Sequence, residues 1–227
     1  KPVSVDLKQA YKIAEAIESA GILNSVGYHF RYFDLTDKTK ELLRGKTIGM
    51  VLGYWMGGMP MVPWWRRMEQ SGGQLVEQCT HIVDLARYLV GEVKKVYCAA
   101  ALRTMTDVEN NNVPDVTTVT MEFENGAIGT MNTSCMMPQG GPVALHIVTR
   151  GQTFELTGGS LRIVEGRHTE EFRSAVNGHL EADRAFVRAV KTRKQSPIKS
   201  SYADAVKTLA VTLAANKSAR TGKAVTV

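Results

Sequence analysis

Apolar residues recur every three to four positions from Leu75 to Val90, and Ser71 to Gly91 (SGGQLVEQCTHIVDLARYLVG) predicts one helix of about four to five turns. Gly72-Gly73 opens it with backbone freedom, and Gly91 stands where a C-cap glycine belongs. At about 100° per residue, Leu75, Cys79, Ile82, Ala86 and Leu89 share one stripe, widened by Val76, Val83 and Val90. Glu77, His81, Asp84 and Tyr88 fall on the opposite side. Glu77 and His81 are one turn apart, so their side chains are expected to meet as a carboxylate–imidazole acid/base pair. The competing reading is a solvated polar face on a packed helix.

The same periodicity predicts a helix from Leu7 to Ala20, capped by Asp6 and stopped by Gly21, with Leu7, Ala10, Tyr11, Ala14 and Ile17 facing inward. Ile22 to Gly27 reads as a short buried strand. This helix–strand pair has the form of the tail of an α/β unit, and Tyr28 to Tyr32 follow at the strand end where open α/β sheets bind ligands. A helix from Asp34 to Arg44 and a strand from Ile48 to Trp55 come next. The segment GGMPMVPWWRRMEQSGG reads as a loop. Val93 to Arg103 is a predicted strand, and Thr104 to Pro114 an exposed loop.

Beyond Pro114 the period falls to two. Val116 to Glu124 alternates, Asn125-Gly126 is a hairpin signal, and Ala127 to Met136 returns. Val143 to Arg150, Thr153 to Leu156, Leu161 to Glu165 and Thr169 to Phe172 extend an antiparallel meander. Helices from His179 to Thr192 and Tyr202 to Ala219 close the chain, with Ala224 to Val227 as a last strand. The fold class expected is α+β: a mostly antiparallel sheet of about six strands with helices on one face, after the α/β tail. The apolar alternation of Val116 to Met137 is expected to leave Val, Met, Phe and Ile on the uncovered face, which predicts a sheet-to-sheet homodimer.

Composition narrows the function classes. The chain has 227 residues, 44% of them hydrophobic, enough for a substantial core. No run of eighteen apolar residues exists, so no membrane-spanning helix is expected. Cys79, Cys98 and Cys135 form neither a zinc pattern nor a disulfide framework, which makes a reducing cytoplasm the default. The net charge is +6, and Arg184 to Lys223 holds ten Lys or Arg against Asp204 alone. Those charges lie on two amphipathic helices, so nucleic acid is not an expected partner.

Three pieces together resemble the glucose–fructose oxidoreductase, inositol dehydrogenase and rhizopine-catabolism family, often written Gfo/Idh/MocA. Lys1-Pro2 is similar to the end of its Glu-Lys-Pro motif, and Val26 to Tyr32 to its V-G-F-N-x-R-F segment, with His29 in place of the common Asn. Trp65-Arg66-Arg67 leads into Ser71-Gly72-Gly73. The helix that follows resembles GGG-x-x-x-D-x-x-x-H-x-x-D, with Glu77 in place of the commoner Asp and with His81 and Asp84 matching. Asp115 to Gly129 resembles the strand pair that usually follows.

The resemblance implies an oxidoreductase that moves hydride between nicotinamide and a secondary alcohol of a sugar, cyclitol or similar polyol. Lys1 would hydrogen-bond the reacting oxygen, His81 would take its proton with a near-neutral pKa, and Glu77 would hold a neighbouring hydroxyl or orient the imidazole. Trp65 and Arg66 would cover the substrate. Lys1, Pro2, His29 and Arg31 would edge the NAD or NADP. Asp84 is expected to be a structural partner of a backbone amide or arginine, and His179 has no spacing that suggests a site. No G-x-G-x-x-G follows a strand, so most of the nucleotide-binding domain is expected to lie outside these residues. Residues 1–30 would be its tail and 31–227 the substrate-binding and dimerisation domain. Two further readings stand beside this one: a non-catalytic sugar-binding or dimerising module of the same fold, and a metal enzyme using Glu77, His81 and Asp84.

Overall fold

The computed structural model describes all 227 residues. The elements are α1 (Leu7–Ala20), a 3-10 turn (His29–Tyr32), α2 (Asp34–Leu42), β1 (Ile48–Met56), a 3-10 turn (Pro63–Arg66), α3 (Met68–Ser71), α4 (Gln74–Glu77) and α5 (Thr80–Leu89). They continue as β2 (Val93–Ala101), a 3-10 turn (Met105–Asp107), β3 (Val116–Phe123), β4 (Ile128–Ser134), β5 (Val143–Thr149), β6 (Gln152–Leu156), β7 (Ser160–Glu165), β8 (His168–Arg173), α6 (Gly178–Thr192), α7 (Tyr202–Thr221) and β9 (Val225–Thr226). The α+β class stands. No helix is long and apolar enough to cross a membrane.

The nine strands form one sheet in the order β8-β7-β6-β5-β1-β4-β3-β2-β9. Every pairing is antiparallel except β1 with β4. The expected meander is therefore split in the middle: β1 enters between β4 and β5, so consecutive strands β4 and β5 never pair. The reason is packing. Gly53 of β1 has no room for a side chain, since a Cβ there would lie 2.1 Å from Met131 Sδ and 2.8 Å from Ile82 Cγ2. That gap lets α5 settle close onto the central strand.

One row of facing residues runs Val96, Met121, Gly129, Val51, Ile147, Phe154 and Ile163 across seven strands. It faces α2, α5 and α7 and forms the core. The alternate row runs Tyr97, Thr120, Thr130, Leu52, His146, Glu155 and Arg162. This row lies on the face without helices. The expected apolar uncovered face is thus corrected: Val119, Met121, Phe123 and Met131 are buried under the helices, and the open face is mixed.

Two expectations near the start also change. Asp6 and Gly21 cap α1 as read, but Tyr11 is half exposed and Ala10 is the only residue of the helix that is fully buried. Ile22 to Gly27 is extended without joining the sheet. Its main chain instead reaches Ser200 just before α7, where the Val26 amide donates to the Ser200 carbonyl at 3.0 Å.

Candidate active site

The predicted single helix is broken. α4 ends at Glu77, α5 begins at Thr80, and the Cys79 amide reaches back to the Gln74 carbonyl at 3.0 Å, one residue further than a regular turn. The His81 amide then bonds Gln78 rather than Glu77. An unbroken helix would have used the Glu77 carbonyl for that bond; here it accepts the Lys1 ammonium instead. The same ammonium lies 2.8 Å from Glu77 Oε1, with the two side chains 19% and 17% exposed. Trp65 Nε1 donates to Glu77 Oε2 at 3.0 Å. Glu77 therefore bonds Lys1 and Trp65, and the expected meeting with His81 does not occur.

His81 is buried among aromatic rings. Its centroid is 4.6 Å from His29, 5.6 Å from Phe30, 5.8 Å from Tyr28 and 5.9 Å from Trp55. Nδ1 is buried with no hydrogen-bond partner. Burial first, then the charge of Lys1, lowers its pKa from 6.5 to about 2. The expectation of a near-neutral pKa gives way to an imidazole held neutral. No protein group fixes its tautomer through Nδ1, so a bound hydroxyl is free to do so.

The structure adds a residue the sequence reading passed over. His179, on the first turn of α6, stacks on His29 with centroids 3.7 Å apart. Gly178 allows the approach: a Cβ there would sit 2.7 Å from the His29 carbonyl oxygen and 2.9 Å from Phe33. His29 and His179 lie far apart in the chain, one before α2 and the other on α6, so no local spacing signals the pair. Burial, and then His179, lowers the His29 pKa to about 4.

The other candidates lie elsewhere. Arg31, expected beside the cofactor, is buried: Nε and Nη2 bond the Asp84 carboxylate at 2.7 and 2.6 Å, Nη1 bonds the Lys199 carbonyl, and Nη2 also meets Asp204. It is a structural ion pair, and Asp84 has the arginine partner expected of it. Trp65, expected to cover substrate, is fully buried with Met59, Val113 and Cys135, while its neighbour Trp64 is 47% exposed. Arg66 ties two loops by bonding the Met61 and Glu109 carbonyls. Pro2 is half-buried beside Lys1. No three His, Cys, Asp or Glu side chains are grouped to hold a metal ion. Glu77, His81 and Asp84 in particular diverge, with Asp84 turned to Arg31.

Residues 36–162 match a family profile described as the GFO/IDH/MocA C-terminal domain. A myo-inositol 2-dehydrogenase of Thermotoga maritima is 27% identical over 137 residues, 59% of this chain and 41% of that one. A scyllo-inositol 2-dehydrogenase (NAD(+)) of Bacillus subtilis is 26% identical over 161 residues, 68% of this chain and 46% of that one. The chain thus spans less than half the length of either relative. Among solved structures, a levoglucosan dehydrogenase in complex with NADH and L-sorbose superposes with a TM-score of 0.87 at 17% identity, covering 100% of this chain and 72% of that one. That likeness shows the fold.

Proposed function

The chain belongs to the GFO/IDH/MocA family through its C-terminal domain, and on that premise we propose that it is the substrate side of an NAD(P)-dependent oxidoreductase acting on a secondary alcohol of a sugar, cyclitol or similar polyol. The observation that carries this reading is a buried neutral imidazole without a protein partner beside an anchored ammonium. A buried polar atom left unpaired costs about 1–3 kcal/mol, which a substrate hydroxyl would remove. A nicotinamide held by the neighbouring nucleotide-binding domain would supply the hydride acceptor for the carbinol carbon. Lys1 Nζ then donates a hydrogen bond to the oxygen as negative charge grows on it, and the His81 imidazole accepts the hydroxyl proton. Glu77 holds Lys1 in place.

The residues present do not fit the cofactor's phosphates. Arg31 is spent on Asp84, Asp204 and Lys199, and no G-x-G-x-x-G turn joins a strand to a helix. The reading therefore assigns the NAD or NADP mainly to a nucleotide-binding domain outside residues 31–227, with 1–30 as its tail and His29 and Lys1 at its edge. The isolated chain is expected to show no dehydrogenase turnover and no tight nucleotide binding. Micromolar binding of NADH by calorimetry would contradict this. The free thiols of Cys79, Cys98 and Cys135 support a reducing cytoplasm. Met50, Tyr97 and Ile128, exposed on the open sheet face, support a homodimer through that face.

The direct test joins the chain to its nucleotide-binding domain and follows reduction of NAD⁺ and NADP⁺ with inositols, aldoses and anhydro sugars. Turnover of one class is expected. Sugar binding without any turnover would favour a non-catalytic module.

A further inference from the structure

We propose that Trp65 is a positioning residue, which acts through Glu77 to hold the Lys1 ammonium in one orientation; only the catalytic use of that ammonium rests on the function proposed above. Trp65 cannot touch a ligand, because its side chain is fully buried. Its one polar group is the indole N–H, and that N–H goes to Glu77 Oε2.

Each oxygen of the Glu77 carboxylate thus receives one donor, Lys1 at Oε1 and Trp65 at Oε2. Two donors on opposite oxygens fix the rotation of the carboxylate. The Lys1 ammonium has three N–H bonds. One goes to Glu77 Oε1 and one to the Glu77 carbonyl freed by the helix break, which leaves one for a substrate oxygen. The direction of that third bond is set by the other two.

Trp65 is itself held. Its ring packs against Met59, Val113 and Cys135. The main chain beside it is bonded to the opposite loop, the Asn112 amide to the Arg66 carbonyl at 3.0 Å and the Met68 amide to Asn112 Oδ1 at 2.7 Å. The clamp also accounts for glutamate at position 77. An aspartate is shorter by one C–C bond, about 1.5 Å. It would have to release either Trp65 or Lys1.

The test labels tryptophan and lysine side chains with ¹⁵N in this chain and compares Trp65→Phe, Glu77→Gln and Glu77→Asp. The indole resonance missing from Trp65→Phe is expected to move in both Glu77 variants, while those of Trp55 and Trp64 stay in place. Exchange of the Lys1 ammonium protons with water is expected to rise roughly tenfold in Trp65→Phe, as loss of a hydrogen bond to a charged group implies. If Trp65→Phe does not fold, the Trp65 indole is identified as the resonance that survives in both Trp55→Phe and Trp64→Phe, and its shifts in the two Glu77 variants decide alone. An indole that ignores both Glu77 changes, or a Lys1 ammonium unaffected in a folded Trp65→Phe, overturns the proposal.

In the longer enzyme, Trp65→Phe should lower kcat/KM, and should do so no further once Glu77 is aspartate. Full additivity there contradicts the proposal. An inactive wild-type enzyme would instead count against the dehydrogenase reading, with the spectra still deciding the clamp.

Discussion

The imidazole of His29 lies face to face with that of His179, ring centroids 3.7 Å apart and planes 18° from parallel. This contact ties α6 to the turn that carries His29, and His29 in turn meets His81 at 4.6 Å. Removing His179 opens one side of His29 to water and takes away the electrostatic influence by which His179 lowers the His29 pKa. His179→Ala should therefore raise the His29 pKa from about 4 toward its ordinary 6.5. Proton NMR of the imidazole ring through a pH titration reads this directly. A His29 midpoint that stays where it is would mean the stack does not govern it.

Acid stability follows from His81. Its folded-state pKa, about 2, is below the ordinary 6.5, so the unfolded chain binds the extra proton first. The stability it contributes is complete above pH 6.5 and is lost as pH falls from there toward the folded value. Between pH 7 and pH 5 this single group should remove about 2 kcal/mol. Urea unfolding at both values measures it, and His81→Gln should flatten the difference by that amount.

The Arg31–Asp84 pair makes a separate prediction. Burial alone would lower the Arg31 pKa, but its bonds to Asp84 and Asp204 raise it, so the guanidinium stays charged. Asp84→Ala leaves that charge facing Asp204 only. Loss of about 3–5 kcal/mol is expected, toward the lower end because Asp204 remains. The urea midpoint reads the loss, and a change under about 1 kcal/mol would show that the pair carries little.

How far the sequence led can be read from particular residues. The caps of α1, Asp6 and Gly21, and the Asn125-Gly126 hairpin were legible because they are local chemistry. The insertion of β1 between β4 and β5 was not, since it depends on Gly53 meeting Met131 and Ile82, contacts formed only in the fold. The Leu75–Val90 stripe was buried as its period implied, yet periodicity could not reveal the break after Glu77. That break comes from Lys1 and Trp65, residues far away along the chain or on another loop. His179 was passed over for the same reason.

Assembly is tested at the open sheet face. Tyr97 and Ile128, about half exposed there, would be covered in the proposed homodimer. Light scattering at micromolar concentration should give twice the 24.9 kDa chain mass. Ile128→Glu should shift it toward one chain, with the melting temperature nearly unchanged. A wild-type monomer under these conditions contradicts the arrangement.

The central claim is that His81 takes the hydroxyl proton. Its most direct test is kcat of His81→Ala in the full-length enzyme, with the melting temperature measured beside it. The account predicts a loss of roughly two to four orders of magnitude, with cofactor affinity nearly unchanged. A folded His81→Ala enzyme that keeps near-normal kcat would contradict it.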